Sequence, residues 1–122
     1  MLASTIGEFK MAEDLIALGA DVNAQNDFGQ TPLSIASYEG HIGIVTLLID
    51  SGADVNATDV NGWTALMYAV ASNYAGSQLD IVALLIESGA KKDMVNDKGL
   101  NAIDIAKESD AFRVANYLES LK

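Results

Sequence analysis

The chain has 122 residues, half of them apolar, and carries 17 acidic against 7 basic side chains, a formal net charge of −10. This length and composition suit one folded domain with one continuous core rather than a disordered chain. The acidic excess opposes binding to nucleic acid or an anionic membrane, since phosphate contacts need clustered Lys and Arg, and the lack of cysteine excludes disulfides, thiolate catalysis and cysteine metal sites.

The chain shows no targeting or membrane signal. Its longest apolar runs are only a few residues, too short to span a membrane. Residues 1–8 lack the basic start and the long apolar core of a signal peptide. Together with the absence of cysteine, these features predict a cytoplasmic protein, although a removed export signal would leave no trace.

The sequence repeats itself with a period of 33 residues. The hexapeptide Gly-Ala-Asp-Val-Asn-Ala occupies residues 19–24 and again 52–57, and a degenerate copy starts at Gly89. A second marker at residues 28–33 returns at 61–66 and at 98–103. Both markers give the same spacings and place a four-residue insertion near residues 74–77 in the third unit. They predict one domain, 1–122, of four repeats at about residues 1–25, 26–58, 59–95 and 96–122.

In chain order, each unit is predicted to form a turn, a short helix, a tight connection, a longer helix and a glycine stop. Asn61-Gly62 is a favoured turn pair, because glycine tolerates positive φ. Helix N-caps are predicted after the turns, at Thr31, Thr64 and Asn101. Apolar residues at helical spacing mark the second helices within 42–49 and 79–86. Left-handed glycines are expected to end the second helices, at Gly19, Gly52 and Gly89.

These motifs resemble those of the ankyrin-repeat family over nearly the whole chain. Residues 29–33, Gly-Gln-Thr-Pro-Leu, match the family's approach to the first helix, Gly40-His41 its approach to the second, and the hexapeptide its end. The resemblance implies an all-α repeat solenoid, an L-shaped stack of four ankyrin repeats with projecting β-turn loops and terminal repeats that act as caps. It also implies a partner bound on the concave face, which the loops and first helices form.

The chain departs from the family pattern at several positions. Where the family often has a histidine that ties neighbouring repeats by hydrogen bonds, this chain has Ser34, Met67 and Asp104, so that network is not expected in its usual form. Unit one lacks its turn, and Met1 already falls in its predicted first helix. The insertion is expected to lengthen the loop between the two helices of unit three, at little entropic cost.

A catalytic or metal site is not predicted. His41 is the single histidine, and we interpret it as a structural residue at the helix connection, because a lone histidine without cysteine leaves zinc without its usual ligands. Asp21 and Asp54 lie in the repeated motif, where such residues organise turns. No Gly-rich phosphate loop is present, so we expect no catalytic residue, cofactor or metal.

Two motif asparagines carry a further implication of the family resemblance. Asn23 and Asn56 lie where asparaginyl hydroxylases sometimes modify ankyrin repeats. We favour the simpler interpretation that each is a loop asparagine bonding its own backbone.

A binding surface is expected where the units differ, because shared residues maintain the stack and variable ones are free for a partner. The aromatic side chains among them are expected near one face with acids around them, and Trp63 is the predicted anchor. Tyr68 and Met67 are expected in the core. The predicted partner-binding residues are Asp27, Phe28, Gln30, Tyr38 and Glu39 in unit two, Val60, Asn61, Trp63, Ala71, Ser72 and the inserted Tyr74 in unit three, and Lys98 and Leu100 in unit four.

The sequence therefore predicts a monomeric, non-enzymatic module that binds another protein, with a basic surface favoured by the acidic charge. One alternative is a structural spacer or a fragment of a longer repeat protein. Another is a hydrolase or metal site on the repeat scaffold, which would require convergent carboxylates in one pocket.

Overall fold

The computed structural model of the chain describes residue 14, residues 16–72 and residues 75–121. The predicted first helix of unit one lies outside this range, and a helical turn ending at Ala17 is the first element described. Six helices follow, and the described residues contain no strand. The helices are α1 (Pro32–Glu39), α2 (Ile42–Asp50), α3 (Ala65–Val70), α4 (Ala75–Glu87), α5 (Ala102–Glu108) and α6 (Phe112–Ser120).

The first helix of each of units two to four begins at the predicted cap. The Thr31 hydroxyl accepts a hydrogen bond from the Ser34 backbone N–H at 3.2 Å, and the Ser34 hydroxyl accepts one from the Thr31 N–H at 3.0 Å. Asn101 caps α5 in the same reciprocal way with Asp104, and Thr64 caps α3. These bonds satisfy N–H groups that a helix end leaves without partners. Ser34 and Asp104 thus act locally in place of the family's histidine.

The second helices end at the predicted glycines. Gly52 follows α2 with a φ of +95°, and Gly89 follows α4 with a φ of +101°. Each N–H donates back to a carbonyl of the last helical turn, as in Gly52 to Ile49 at 3.1 Å. Gly19 has the same conformation after the helical turn of unit one, so the glycine stops are confirmed.

The core lies between successive helix pairs. Helix α3 packs against α1 on one side and α5 on the other, and α4 packs between α2 and α6. Because each pair is too small to bury its apolar face alone, stacking produces one continuous interior. This arrangement confirms the predicted all-α repeat solenoid, while the limits of the four units stay a prediction. The larger buried side chains are Leu33, Val45, Leu48, Leu66, Met67, Val70, Ile81, Val82, Leu85, Ile105, Val114 and Leu118.

The motif asparagines join neighbouring units instead of bonding their own backbone, which corrects the interpretation from sequence. Asn23 accepts a hydrogen bond from the Asp54 N–H at 2.7 Å, 31 residues along the chain. Asn56 accepts one from the Lys91 N–H at 2.9 Å and donates to the Gly89 carbonyl at 3.0 Å. The aspartates two positions earlier do organise the turns, as in the bond from the Asn56 N–H to Asp54 at 2.9 Å.

The insertion in unit three adds residues to a helix, which the prediction of a longer loop did not include. Helix α4 begins at Ala75 and has 13 residues, whereas α2 and α6 have 9 each. The Ser77 hydroxyl donates to the Gly40 carbonyl of unit two at 3.0 Å. Gln78 donates to the Val70 carbonyl at 2.7 Å. The added turn therefore supplies donors to carbonyl groups that helix ends and connections leave open.

Candidate binding groove

Three turn tips project from the stack, at residues 26–30, 59–63 and 96–100, and share one hydrogen-bond pattern. In each tip, the side-chain oxygen of the first residue accepts from the backbone N–H groups of the third and fifth. For Asp59 the donors are Asn61 at 2.8 Å and Trp63 at 2.9 Å. Asn26 and Asn96 do the same in the other two tips. Either an amide or a carboxylate at the first position of a tip can therefore hold the tip backbone in the same conformation.

The tips are also joined to one another. The Val60 N–H donates to the Phe28 carbonyl at 3.1 Å, and the Asp97 N–H donates to the Asn61 carbonyl at 3.0 Å. These bonds fix the position of each tip relative to the next, so side chains on adjacent tips and helices have a defined spacing.

Asp59 carries a charge that its turn does not require. The equivalent residues Asn26 and Asn96 build the same tip without one. The second carboxylate oxygen of Asp59 accepts a hydrogen bond from the Tyr68 hydroxyl. The Tyr68 oxygen accepts in turn from the Gln30 side-chain amide at 3.3 Å. A tip of unit two, a tip of unit three and helix α3 therefore meet at the Tyr68 hydroxyl.

Three aromatic rings lie together beside this hydrogen-bond cluster. The ring centroids of Trp63 and Tyr68 are 5.2 Å apart with the planes tilted by 48°. The Tyr38 ring, on α1, meets the Tyr68 ring edge-on at 6.1 Å and 83°. Both separations lie in the range of favourable aromatic pairs. The rings of units two and three thus form one continuous aromatic surface.

This surface forms part of a groove of about 660 Å³ between the tips and the first helices. Ala71 stands 33 residues after Tyr38, so the small side chain in unit three leaves open the space that a ring occupies in unit two. Among the residues that the structure describes, the lining contains two carboxylates and no Lys or Arg. We call it the aromatic groove; its residues are Gln30, Ile35, Tyr38, Glu39, Asp59, Asn61, Trp63, Tyr68 and Ala71.

Burial and the Asp59 carboxylate hold the pKa of Tyr68 above its ordinary value. Burial is the larger cause, because it disfavours the phenolate, and the hydrogen bond to Asp59 adds to it. The hydrogen bond from Gln30 acts in the opposite direction. The Tyr68 hydroxyl is therefore a hydrogen-bond donor throughout the neutral pH range.

Asp59→Asn is expected to lower the pKa of Tyr68, because the variant removes the negative charge next to the hydroxyl while the amide keeps the turn. The NMR shift of the Tyr68 ring carbon that bears the hydroxyl, followed against pH, measures this change. Because the folded state binds this proton more tightly than the unfolded state, its contribution to stability is complete below the ordinary pKa of 10.0 and is lost as pH rises through the raised value. An unchanged pKa in folded Asp59→Asn would contradict the hydrogen bond.

The aromatic groove contains six of the predicted partner-binding residues. They are Gln30, Tyr38, Glu39, Asn61, Trp63 and Ala71.

Other predicted residues lie on the tips outside the groove. Phe28 and Val60 are 67% and 68% exposed, Asp27 and Lys98 are exposed, and Leu100 is half-buried. Their contact with a partner stays a prediction.

The two remaining predicted partner-binding residues are Ser72 and Tyr74. Ser72 is buried and its hydroxyl donates to the Tyr38 carbonyl at 2.7 Å, so the expectation that it is exposed is wrong. It fills space between units two and three and helps to position the backbone that bears Tyr38. Tyr74 lies outside the described residues.

Three groove residues escaped prediction. Tyr68 was expected in the core, like the neighbouring Met67, which is buried. Instead Tyr68 is half-buried and lines the groove with Ile35 and Asp59. Ile35 is the equivalent of Tyr68 in unit two, 33 residues earlier, so comparison of the two first helices would have placed both on one face. The signal for Asp59 is its charge at a position that holds asparagine in the other tips.

His41 directly precedes α2, at the predicted helix connection. Among the described residues, no three His, Cys, Asp or Glu side chains converge to hold a metal ion. None of the described helices has both the length and the apolar character that crossing a bilayer requires.

Comparison with known families identifies the repeats. A family model described as ankyrin repeats in three copies matches residues 1–96. The chain belongs to the ankyrin-repeat family. Ankyrin-repeat proteins are generally protein-interaction modules and are typically not enzymes, which agrees with the general function predicted from the sequence.

Several known proteins are similar to this chain. A probable 26S proteasome regulatory subunit, p28, of Saccharomyces cerevisiae is 37% identical over 100 residues, which cover 80% of this chain and 42% of p28. The mouse ankyrin repeat and SAM domain-containing protein 6 is 40% identical over 84% of this chain and 11% of its own length. Mouse rabankyrin-5 is 30% identical over 99% of this chain and 10% of its own length. The chain thus spans less than half of each of these relatives.

Proposed function

We propose that this ankyrin stack binds another protein through its concave face, with the aromatic groove at the centre of the contact. The observation that carries the proposal is the continuous surface of Tyr38, Tyr68 and Trp63 across two units. Aromatic side chains are enriched at the energetic centres of interfaces, because they bury a large area at a small cost in conformational entropy. A grouping of this kind on an open face favours a binding role over a spacer.

The surroundings of the groove suit a protein partner. Phe28 and Val60 on the tips are 67% and 68% exposed, and they extend the apolar area beyond the groove. The acids Asp27 and Glu39 are exposed and supply a polar, negative rim. With a net charge of −10, the chain favours approach by a partner with a basic surface.

The hydrogen bonds around the groove favour binding without large rearrangement. Asp59 fixes the Trp63 backbone and the Tyr68 hydroxyl at once. The bonds between tips hold unit two against unit three. A surface that is already ordered loses less conformational entropy when a partner binds.

Trp63→Ala is expected to weaken partner binding by about 2 kcal/mol or more, since it removes the anchor at the middle of the groove. Proteins captured from a lysate of the source organism by the wild-type chain would be identified, and the strongest would be purified and titrated by calorimetry against wild type and variant. Circular dichroism would establish that the variant is folded.

Phe112→Ala provides the matched control for this experiment. Phe112 is also an exposed aromatic residue, at 62%, but it opens α6 and does not line the groove. We expect its removal to leave affinity unchanged. Equal affinity of wild type and folded Trp63→Ala would overturn the proposed binding site.

A further inference from the structure

Resting on the proposed function, we infer that the aromatic groove receives an arginine side chain of the partner protein. The inference concerns the chemical group that occupies the groove, rather than the concave face as a whole. It follows from the charge of the lining, from the arrangement of the rings and from the hydrogen bonds that the lining has already made.

The charge of the groove selects a cation. Its described lining residues include the carboxylates of Asp59 and Glu39 and no basic side chain. The charge of Asp59 is additional to what the turn needs, because Asn26 and Asn96 build equivalent tips. Carboxylates beside apolar walls attract a cation more strongly than carboxylates in open water do, because the walls reduce screening.

The rings offer surfaces for a flat cation. Trp63 and Tyr68 are tilted by 48°, and Tyr38 stands nearly perpendicular to Tyr68. A guanidinium is planar and stacks on aromatic faces while its edge donates to carboxylates. Ile35 and Ala71 in the lining give the methylene stem of the same side chain an apolar wall.

The hydrogen bonds already made within the groove favour arginine over lysine. Asp59 accepts from the Asn61 and Trp63 N–H groups and from the Tyr68 hydroxyl, so much of its accepting capacity is in use. A lysine ammonium is compact and strongly hydrated and would need new acceptors on entering the groove. A guanidinium is more weakly hydrated and gains from the ring faces directly.

A pair of small probes tests the inference without knowledge of the partner. Acetyl-arginine methylamide and acetyl-citrulline methylamide have the same shape, but only the first is charged. Trp63 is the only tryptophan of the chain, so its fluorescence and its indole N–H signal in NMR report on the groove alone. We expect the arginine probe to bind about tenfold more tightly than the citrulline probe and more tightly than acetyl-lysine methylamide, with affinity that falls as salt is added.

Charge variants locate the interaction. Asp59→Asn keeps the turn and removes one charge from the groove, and Glu39→Gln removes the other. Each is expected to weaken the arginine probe several-fold and to leave the citrulline probe unaffected. Glu87→Gln removes a charge at the exposed end of α4, outside the groove, and is expected to change neither.

The possible results separate this inference from the proposed function. Equal binding of the arginine and citrulline probes would overturn it, and so would equal binding of the lysine probe. No response of Trp63 at about 20 mM arginine probe, which corresponds to negligible affinity, would overturn it as well. The proposed function is judged independently by the captured partner, which can still depend on Trp63 when the arginine probe does not bind.

Discussion

Replacing Leu66 with alanine is expected to lower the free energy of unfolding by about 2–5 kcal/mol, among the largest effects of any single substitution in this chain. Leu66 is 1% exposed and lies on α3, which packs between α1 and α5. The variant loses the burial energy of the isobutyl group and leaves a cavity that neighbouring units can fill only in part. The substitution therefore weakens the packing of unit three against both unit two and unit four.

Urea unfolding followed by circular dichroism would measure this loss. Val60→Ala is the matched control, because Val60 is apolar but 68% exposed on a turn tip. Its removal is expected to change stability by no more than about 0.5 kcal/mol. Similar losses in the two variants would contradict the packing of α3 at the centre of the stack.

Replacing Gly29 with alanine is expected to destabilise the chain by about 2–4 kcal/mol, because the substitution combines backbone strain with a collision. Gly29 has a φ of +77°, a conformation that residues with a Cβ rarely adopt. An added Cβ would lie 2.9 Å from the backbone nitrogen of Val60, in the adjacent tip. That nitrogen donates to the Phe28 carbonyl, so any shift that relieves the collision also disturbs the bond between tips.

Gly99→Ala separates the two contributions. Gly99 occupies the equivalent place in the tip of unit four with a φ of +75°, but an added Cβ would have no described atom within 4 Å. Only the backbone strain should remain, at about 1–2 kcal/mol. Thermal unfolding of both variants would reveal the difference, and equal destabilisation would exclude the close approach of the tips as its cause.

The helices and their ends could be predicted because their signals are local. The capping oxygen of Thr31 bonds an N–H three residues away, and Gly52 closes a helix whose last turn directly precedes it. Such interactions depend on spacing within a few residues, which the sequence displays. The repeat period then implies the stack, because equivalent helices of a repeated unit can bury their apolar faces only against one another.

Contacts between units were harder to predict because the sequence separates their members by about one repeat. Asn23 bonds the backbone of Asp54 rather than its own. The inserted turn of α4 is held by the bond from Ser77 to Gly40, 37 positions away. Helix propensity alone favours a loop at Gly76 and Ser77. The hydrogen bond from Ser77 to the Gly40 carbonyl stabilises the helical conformation there, against that propensity.

Only part of the groove was predicted, because its residues also come from two different units. Trp63 and Tyr38 differ from their counterparts in the other units, which marked them as candidates. Tyr68 follows the buried Met67 and was assigned to the core, although one helical step turns its side chain toward the tips. Its position depends on Asp59 and Gln30, and that combination becomes visible only when two units are superposed.

The hydrogen bonds that tie the units together join residues 29 to 38 positions apart, so they link immediate neighbours along a one-dimensional array. Arrays of this kind fray from their ends and can nucleate at any internal joint. The aromatic groove contains residues of both unit two and unit three. A ligand bound there therefore stabilises the interface between these units against local unfolding. Ligand binding in the groove should therefore slow amide hydrogen exchange and increase protease resistance in both unit two and unit three.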